Sequence, residues 1–322
     1  MPITPEFLAA AHRLRSLGAS RMKIAAAKYP IDAPSDFVVF AEKQANFLSD
    51  AQQAGADLAV LPECAALELL AIFDANTRAD IHASLTAMQA LHSDWMQLYA
   101  QLAQIMGMHI NAGSFLVDVG GGRYRNRSYL FAPDGRHLWQ DKLRLTVSEK
   151  KAGVIESGDA LKVFDVDDVR AGIAVGYDSE FPLPVRAQCE SGARLLLVPS
   201  CADTPAGATR VRVGCLARAL ENRCFVAQAV TAGEAPWSPV LNVNMGEAAL
   251  IAPMDVGLPH DGMIVETRGN RHWAIADLDF EALEASRAHA HVTNDRDWAS
   301  QYFPTIQRAR LVGSAADGQR AA

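Results

Sequence analysis

The chain has 322 residues, of which 50% are hydrophobic and 21% are charged. This composition is typical of a globular protein, and a chain of this length can bury a large core without disulfide bonds. The 30 basic and 37 acidic residues give a net charge of −7, and no long basic run is present. The charge balance therefore argues against binding to nucleic acid or to an anionic membrane.

The cysteine count and the apolar runs indicate a location inside the cell. The five cysteines are an odd number with no Cys-x-x-Cys pair, which favours free thiols in a reducing cytoplasm. No stretch contains 18 consecutive apolar residues, and charged side chains interrupt the first 23 residues. We therefore expect a cytoplasmic protein without a secretion signal or a membrane span.

Short apolar runs that favour strands alternate with longer helical patterns along most of the chain. Residues 4–17 have the pattern of an amphipathic helix, and we assign residues 1–21 to a helical leader. The predicted strands cover residues 23–27, 58–61, 109–117, 127–132, 138–142, 170–175, 195–199, 225–230, 248–252, 263–266 and 273–277. The predicted helices cover residues 37–54, 83–106, 184–191 and 209–222.

This alternation is typical of an α/β fold in which helices cover the sheets. No Pro/Gly/Ser-rich linker or internal repeat divides the chain, so we place a single domain at residues 22–308. The small and polar residues that follow predict a flexible tail at residues 309–322.

A carboxylate follows the second predicted strand. Glu63 stands just after a proline that ends the apolar run of residues 58–61. Ligand crevices in open α/β sheets lie at the carboxyl ends of strands. A partly desolvated carboxylate there would have a raised pKa and could act as a general base. Position alone leaves a second interpretation open, a solvated side chain that caps a loop.

A lysine and a second glutamate follow another predicted strand. Lys142 lies at the end of the strand at residues 138–142, and Glu149 comes seven positions later. A buried lysine among carboxylates would remain charged and could stabilise a developing oxyanion. Lysines near strand ends are often simply solvated, so this segment alone does not decide between the two interpretations.

The strongest local signal is a strand that breaks into a polar turn before a helix. The segment reads Gly172-Ile-Ala-Val-Gly176-Tyr177-Asp178-Ser-Glu-Phe-Pro182. A strand-to-helix elbow presents one side chain and several backbone N–H groups at the top of a sheet. Such a position is where a catalytic nucleophile belongs.

Several segments together resemble the nitrilase superfamily of carbon-nitrogen hydrolases. In chain order they are Leu-Pro-Glu63, the segment around Lys142, Tyr177-Asp-Ser-Glu-Phe-Pro182, Ala193-Arg-Leu-Leu-Leu-Val-Pro-Ser200 and Arg218-Ala-Leu-Glu-Asn222. The resemblance extends over residues 23–298. It is specific because five segments agree in order and approximate spacing.

The resemblance is closest to a bacterial and fungal branch whose members are sometimes fused to an N-acetyltransferase domain. The segments that carry this likeness are Pro199-Ser-Cys-Ala-Asp-Thr204, Ala235-Pro-Trp-Ser-Pro239 and Asn294-Asp-Arg-Asp-Trp298. No acetyltransferase domain fits in this chain.

The family likeness implies a four-layer αββα sandwich with a Glu-Lys-Cys site that hydrolyses a small amide or nitrile. Residue by residue, Glu63 matches the general base, Lys142 the oxyanion-stabilising lysine and Glu149 a second glutamate that positions the substrate. The backbone N–H of Tyr177 would join Lys142 in holding the oxyanion. Gly176 stands where the nucleophilic cysteine should be.

Glycine has no side chain with which to attack. Covalent enzymes without their nucleophile lose on the order of 10⁶ in turnover, so we expect little or no thioester chemistry. Three interpretations remain open: an engineered variant that traps a ligand, a natural pseudoenzyme whose glycine relaxes a strained elbow, or substitution by another thiol. Cys201 and Cys64 are the candidates for substitution, although both could simply fill space. We count Cys201 and Asp178 as possible pocket residues.

The expected ligand is a small uncharged amide or nitrile, since the loops at residues 66–76, 203–209 and 233–244 carry mainly small and apolar side chains. We expect no cofactor and no metal, because the nine histidines are scattered and only His289 and His291 are closely spaced. The glycines at residues 120–122 predict a turn and lack the pattern of a phosphate-binding loop. The family likeness implies a homodimer or higher homo-oligomer, formed through the helices at residues 184–191 and 209–222.

Overall fold

The computed structural model describes residues 21–302 of the chain. The helix predicted at residues 4–17 and the tail predicted at residues 309–322 lie outside the described residues. Among the helices of the described part, none is long and apolar enough to cross a membrane.

The described part of the chain contains thirteen strands and a set of helices. The strands are β1 (Arg21–Pro30), β2 (Leu58–Val60), β3 (His109–Gly120), β4 (Arg123–Phe131), β5 (His137–Asp141), β6 (Val163–Val166), β7 (Val169–Ile173), β8 (Leu195–Ser200), β9 (Phe225–Glu234), β10 (Val243–Asn244), β11 (Ala249–Ile251), β12 (Met263–Glu266) and β13 (Trp273–Asp279). The helices are α1 (Phe37–Gln53), α2 (Ala75–Ala79), α3 (Ile81–Met106), α4 (Val147–Ala152), α5 (Pro182–Glu190), α6 (Pro205–Asn222), α7 (Phe280–Ala288) and α8 (Asn294–Asp297). Three 3-10 segments cover Ala65–Ile72, Gly176–Glu180 and Trp298–Tyr302.

Strand β1 joins two halves of a continuous hydrogen-bonded path, β5-β4-β3-β2-β1-β9-β8-β7-β6. Its first residues pair with β2 and β13, whereas its last three pair with β9. Strands β1, β2, β3, β7, β8 and β9 run parallel, and the antiparallel hairpin of β3 and β4 brings β5 back to the same direction. The carboxyl ends of β2, β5, β7 and β8 therefore face the same side of the molecule.

Three apolar layers separate the two sheet halves and the helices that cover them. Alternation along β1 directs Ala25 and Tyr29 into the layer beneath α1 and α3, and Ile24 into the layer between the sheet halves. The third layer packs α5 and α6 against the other side, with Val185 and Cys215 among its members. Three apolar layers between four layers of structure confirm the predicted αββα sandwich.

Helix ends explain where the observed elements extend beyond the predicted ones. Helix α6 begins at Pro205 rather than at residue 209, because Thr204 caps it by accepting a hydrogen bond from the backbone N–H of Gly207. Helix α5 likewise begins at Pro182, where proline suits the first turn. The glycines at residues 120–122 connect β3 to β4, as the sequence predicted.

Candidate active site

The candidate residues lie beyond the carboxyl ends of the strands that face one side. Glu63 follows β2, Lys142 directly follows β5, and Gly176 opens the 3-10 turn after β7. Glu149 lies on helix α4, which begins at Val147, five residues after Lys142. The strand directions therefore bring together residues that are up to 113 positions apart in sequence, the separation of Glu63 from Gly176.

The Lys142 ammonium lies between two carboxylates. Its Nζ is 2.7 Å from Glu63 Oε1 and 2.9 Å from Glu149 Oε2. The side chains of Lys142 and Glu63 are only 3% and 5% exposed, and that of Glu149 is 15% exposed. Buried charges are retained in proteins when they are paired in this way.

The three groups differ in how the site shifts their acidity. Burial raises the pKa of Glu63, and the Lys142 ammonium offsets this only in part. Burial also acts to raise the pKa of Glu149, but Lys142 and hydrogen bonds from Thr146 outweigh it, so that pKa is lowered. Burial alone would lower the pKa of Lys142, yet the two carboxylates raise it above its ordinary value. Glu63 is therefore the group best placed to exchange a proton while the other two stay charged.

Helix α4 sets the orientation of Glu149. Thr146 and Glu149 form a capping box, in which Glu149 Oε2 accepts from the Thr146 backbone N–H at 2.8 Å. The Glu149 carboxylate thus caps the helix and contacts Lys142 at the same time. A helix of six residues is too short to show a helical period in sequence, so only the Thr-x-x-Glu spacing could have revealed it.

Asn126 on β4 belongs to the same cluster and was missed by sequence reasoning. Its Nδ2 donates to Glu63 Oε1 at 2.8 Å and to Glu149 Oε1 at 3.3 Å. Its Oδ1 is buried and has no hydrogen-bond partner among the described residues. The sequence signal that could have revealed Asn126 is a single amide in β4, a strand whose other buried side chains are largely apolar or aromatic.

Gly176 faces the Glu63 carboxylate directly. Its φ of +47° lies in the left-handed region, which favours glycine. A Cβ placed on Gly176 would overlap Glu63 Oε2 and lie 3.0 Å from Cδ. In this structure, therefore, the Glu63 carboxylate occupies the space into which a side chain at position 176 would extend.

Asp178 is directed at the backbone beside Lys142. Its Oδ2 accepts from the Leu143 N–H at 2.9 Å, and its Oδ1 accepts from the Arg144 N–H at 2.7 Å. Burial raises the pKa of Asp178 to about 6, although both hydrogen bonds act to lower it. The neighbouring Tyr177 is partly buried, and its ring packs edge-on against Phe181 with centroids 4.9 Å apart.

Cys64 and Cys201 meet beside the cluster. A hydrogen bond with Cys201, together with burial and the Glu63 charge, raises the pKa of Cys64 well above its ordinary value. A raised pKa disfavours the thiolate that nucleophilic attack requires. The Cys201 sulfur lies 3.6 Å from Asn244 Oδ1. Across residues 21–302, no group of three or more His, Cys, Asp or Glu side chains is arranged to hold a metal ion.

The chain is similar in sequence to a probable hydrolase and to an omega-amidase. A probable hydrolase of Bacillus subtilis, YhcX, is 29% identical over 277 residues, which cover 86% of this chain and 53% of that protein. The chain thus spans about half the length of that relative. An omega-amidase of Xenopus laevis is 23% identical over 263 residues, covering 79% of this chain and 88% of that protein.

The chain also matches a solved structure in its fold and a protein-family model in its sequence. Nit3 of Saccharomyces cerevisiae, a member of branch 10 of the nitrilase superfamily, superposes with a TM-score of 0.67 at 18% identity, covering 86% of this chain and 96% of that one. The carbon-nitrogen hydrolase family model matches residues 23–287. The chain therefore belongs to the carbon-nitrogen hydrolase family.

Proposed function

We propose that this chain binds a small uncharged amide or nitrile at the cluster of Glu63, Lys142 and Glu149 but does not form a thioester with it. The amidases among its relatives support the ligand class. In this proposal Lys142 and the backbone N–H of Tyr177 hold the ligand's carbonyl oxygen, and Glu63 is the base. Gly176 occupies the position of the missing cysteine.

One observation carries this proposal. The Glu63 carboxylate fills the space beside Gly176 while Lys142 and Asn126 hold its other oxygen. In this proposal these residues form the charged part of an amidase site, and the nucleophile is absent from it. The raised pKa of Cys64 argues against that thiol as a replacement.

The direct test is Gly176→Cys, assayed for ammonia release from a panel of linear amides and for an acyl adduct by mass spectrometry. Restoring the nucleophile of a covalent enzyme should raise turnover by several orders of magnitude, up to about 10⁶. Gly176→Ala is the matched control, because it adds the same Cβ without a thiol. Glu63 must rotate away in both variants, since a Cβ would overlap its carboxylate.

The outcomes separate the open interpretations. Binding of propionamide or butyramide to the unchanged chain, seen as thermal stabilisation without ammonia release, supports a non-catalytic protein that keeps its pocket. An acyl adduct on Cys64 or Cys201 in the unchanged chain would instead establish a substitute thiol. The proposal fails if no amide stabilises the chain and the cysteine variant is silent across the panel.

The proposal also includes a cytoplasmic homodimer formed through α5 and α6. Its support is the exposure of apolar side chains on these two helices, with Leu183 at 62% and Val213 at 57%. Apolar side chains this exposed are common at protein surfaces when they are single, so the oligomeric state has to be measured.

A further inference from the structure

Asp178 connects the turn that contains Gly176 to the residues that follow Lys142. Its two carboxylate oxygens accept from two consecutive backbone N–H groups, those of Leu143 at 2.9 Å and Arg144 at 2.7 Å. The residue is 2% exposed. The contact therefore joins the segment after β5 to the segment after β7, which belong to opposite halves of the sandwich.

The segment from Lys142 to Thr146 has no strand or helix to hold it in place. The Lys142 backbone is anchored on both sides, because its N–H donates to the Asn126 carbonyl and its carbonyl accepts from the Gly158 N–H, each at 2.8 Å. Beyond Lys142, the next two amides donate to Asp178. The capping box at Thr146 then begins helix α4.

The turn that contains Asp178 is itself held from behind. Ser179 Oγ donates to the Gly176 carbonyl at 2.8 Å, and Arg218 on α6 donates to the Ser179 carbonyl at 3.2 Å. A Cβ at Gly214 of the same helix would come within 3.0 Å of that carbonyl oxygen, so the helix packs closely on the turn. Asp178 thus holds the irregular segment after Lys142 against a turn that is itself fixed by hydrogen bonds and by helix α6.

We propose that Asp178 is a positioning residue, which holds the Leu143 and Arg144 amides so that the Lys142 ammonium meets Glu63 and Glu149. A carboxylate accepts from both N–H groups, one with each oxygen, whereas an amide offers one oxygen and an apolar side chain offers none. This role gives the turn a function even though Gly176 supplies no nucleophile. The positioning role of Asp178 rests on the proposed function only in treating Glu63, Lys142 and Glu149 as a ligand site.

Nuclear magnetic resonance of ¹⁵N-labelled lysine side chains tests the geometry without a ligand. A buried ammonium that donates to two carboxylates should exchange slowly with water and give a visible signal at neutral pH, which Lys142→Arg assigns by its loss. In Asp178→Asn the amide group of the new side chain faces one of the two N–H donors. We expect the Lys142 signal to exchange at least about tenfold faster, the factor that corresponds to about 1.4 kcal/mol.

Glu180→Gln is the matched control. Glu180 is on the same turn and forms an ion pair with Arg210 at 3.5 Å, on the side away from the segment that follows Lys142 in the hydrogen-bond pattern of residues 21–302. This variant should leave the Lys142 signal unchanged. If Asp178→Asn does not fold, Asp178→Ser, which is small and keeps one hydroxyl acceptor, takes its place with the same expected loss of protection.

An unchanged Lys142 exchange rate in a folded Asp178 variant overturns the proposal, even if the melting temperature falls, because a purely structural role would move only the latter. A faster exchange in Glu180→Gln as well would also overturn it. Faster exchange confined to the Asp178 variant supports positioning. That result stands whether or not propionamide binds, so a failure of the proposed function is seen separately in the thermal-shift assay.

Discussion

Replacing Lys142 with methionine removes the ammonium group that lies between two buried carboxylates. The change keeps most of the side-chain volume, so the loss is chiefly electrostatic. Glu63 and Glu149 would then face each other across Asn126 without a counter-charge, at 5% and 15% side-chain exposure. Two carboxylates in such a place cannot both remain ionised at low cost.

The size of the effect follows from the distances. At 2.7 Å and 2.9 Å, and with an effective dielectric constant near 20, each ion pair contributes roughly 6 kcal/mol of attraction before desolvation is subtracted. Breaking a buried pair by removing one partner costs about 3–5 kcal/mol. Glu63 can relieve part of the repulsion by binding a proton, since burial already raises its pKa. We therefore expect a loss of about 3 kcal/mol at pH 7.5.

Urea unfolding and thermal melting measure this loss. A decrease of about 3 kcal/mol corresponds to a melting temperature lower by roughly 4–5 °C for a chain of this length. Without Lys142 the folded-state pKa values of the two carboxyls are raised above their unfolded values. The variant should therefore be destabilised less at pH 5 than at pH 7.5, because protonation at low pH removes the repulsion.

The control is Lys151→Met, which removes an exposed ammonium from helix α4. Exposed ion pairs contribute at most about 1 kcal/mol, so this variant should change stability by less than that. A loss below about 1 kcal/mol for Lys142→Met, or one that does not depend on pH, would refute the reasoning that a buried ion pair holds the cluster together.

Three further predictions concern other parts of the molecule. Because burial raises the folded-state pKa of Asp178 to about 6, above its unfolded value, its contribution to stability is present at low pH and lost as pH rises through 6. The stability of the unchanged chain relative to Asp178→Asn should therefore fall by up to about 3 kcal/mol between pH 4 and pH 7.5. Urea unfolding at both pH values measures this difference, and a difference that does not change with pH would contradict the burial of Asp178. Gly176→Ala should destabilise the chain by about 1–3 kcal/mol, since a φ of +47° is strained for alanine and its Cβ overlaps Glu63; an unchanged melting temperature would mean that the turn relaxes. Gel filtration should give a mass near twice the 34.7 kDa of the chain, and Val213→Asp should halve it; a monomer at micromolar concentration would remove the dimer from the proposal.

The order and type of the main strands and helices could be predicted from the sequence because they depend on local patterns. Strand β1 alternates between two apolar layers, and the long helices α1 and α3 repeat apolar residues at helical spacing. Short elements were missed for the same reason. Strand β6 has four residues and helix α4 has six, too few to establish a period.

The candidate site divides in the same way. Sequence alone placed Glu63, Lys142 and Gly176 at the ends of predicted strands, assigned Glu149 through the family likeness, and indicated the family whose model matches residues 23–287. It did not reveal Asn126, whose place in the cluster depends on β4 lying between β3 and β5. A polar residue in a strand gains its partners only when the neighbouring strands and their register are known.

Only the tertiary structure decided what surrounds Gly176. The identity of that residue could be read directly, but the contact of its missing Cβ with Glu63 depends on β2 and β7 ending at the same edge of the two sheet halves. Likewise, Lys142 meets Glu63 across 79 positions of sequence, and Asp178 reaches the amides that follow Lys142. Such contacts arise from strand direction and layer packing, which a local sequence pattern does not contain.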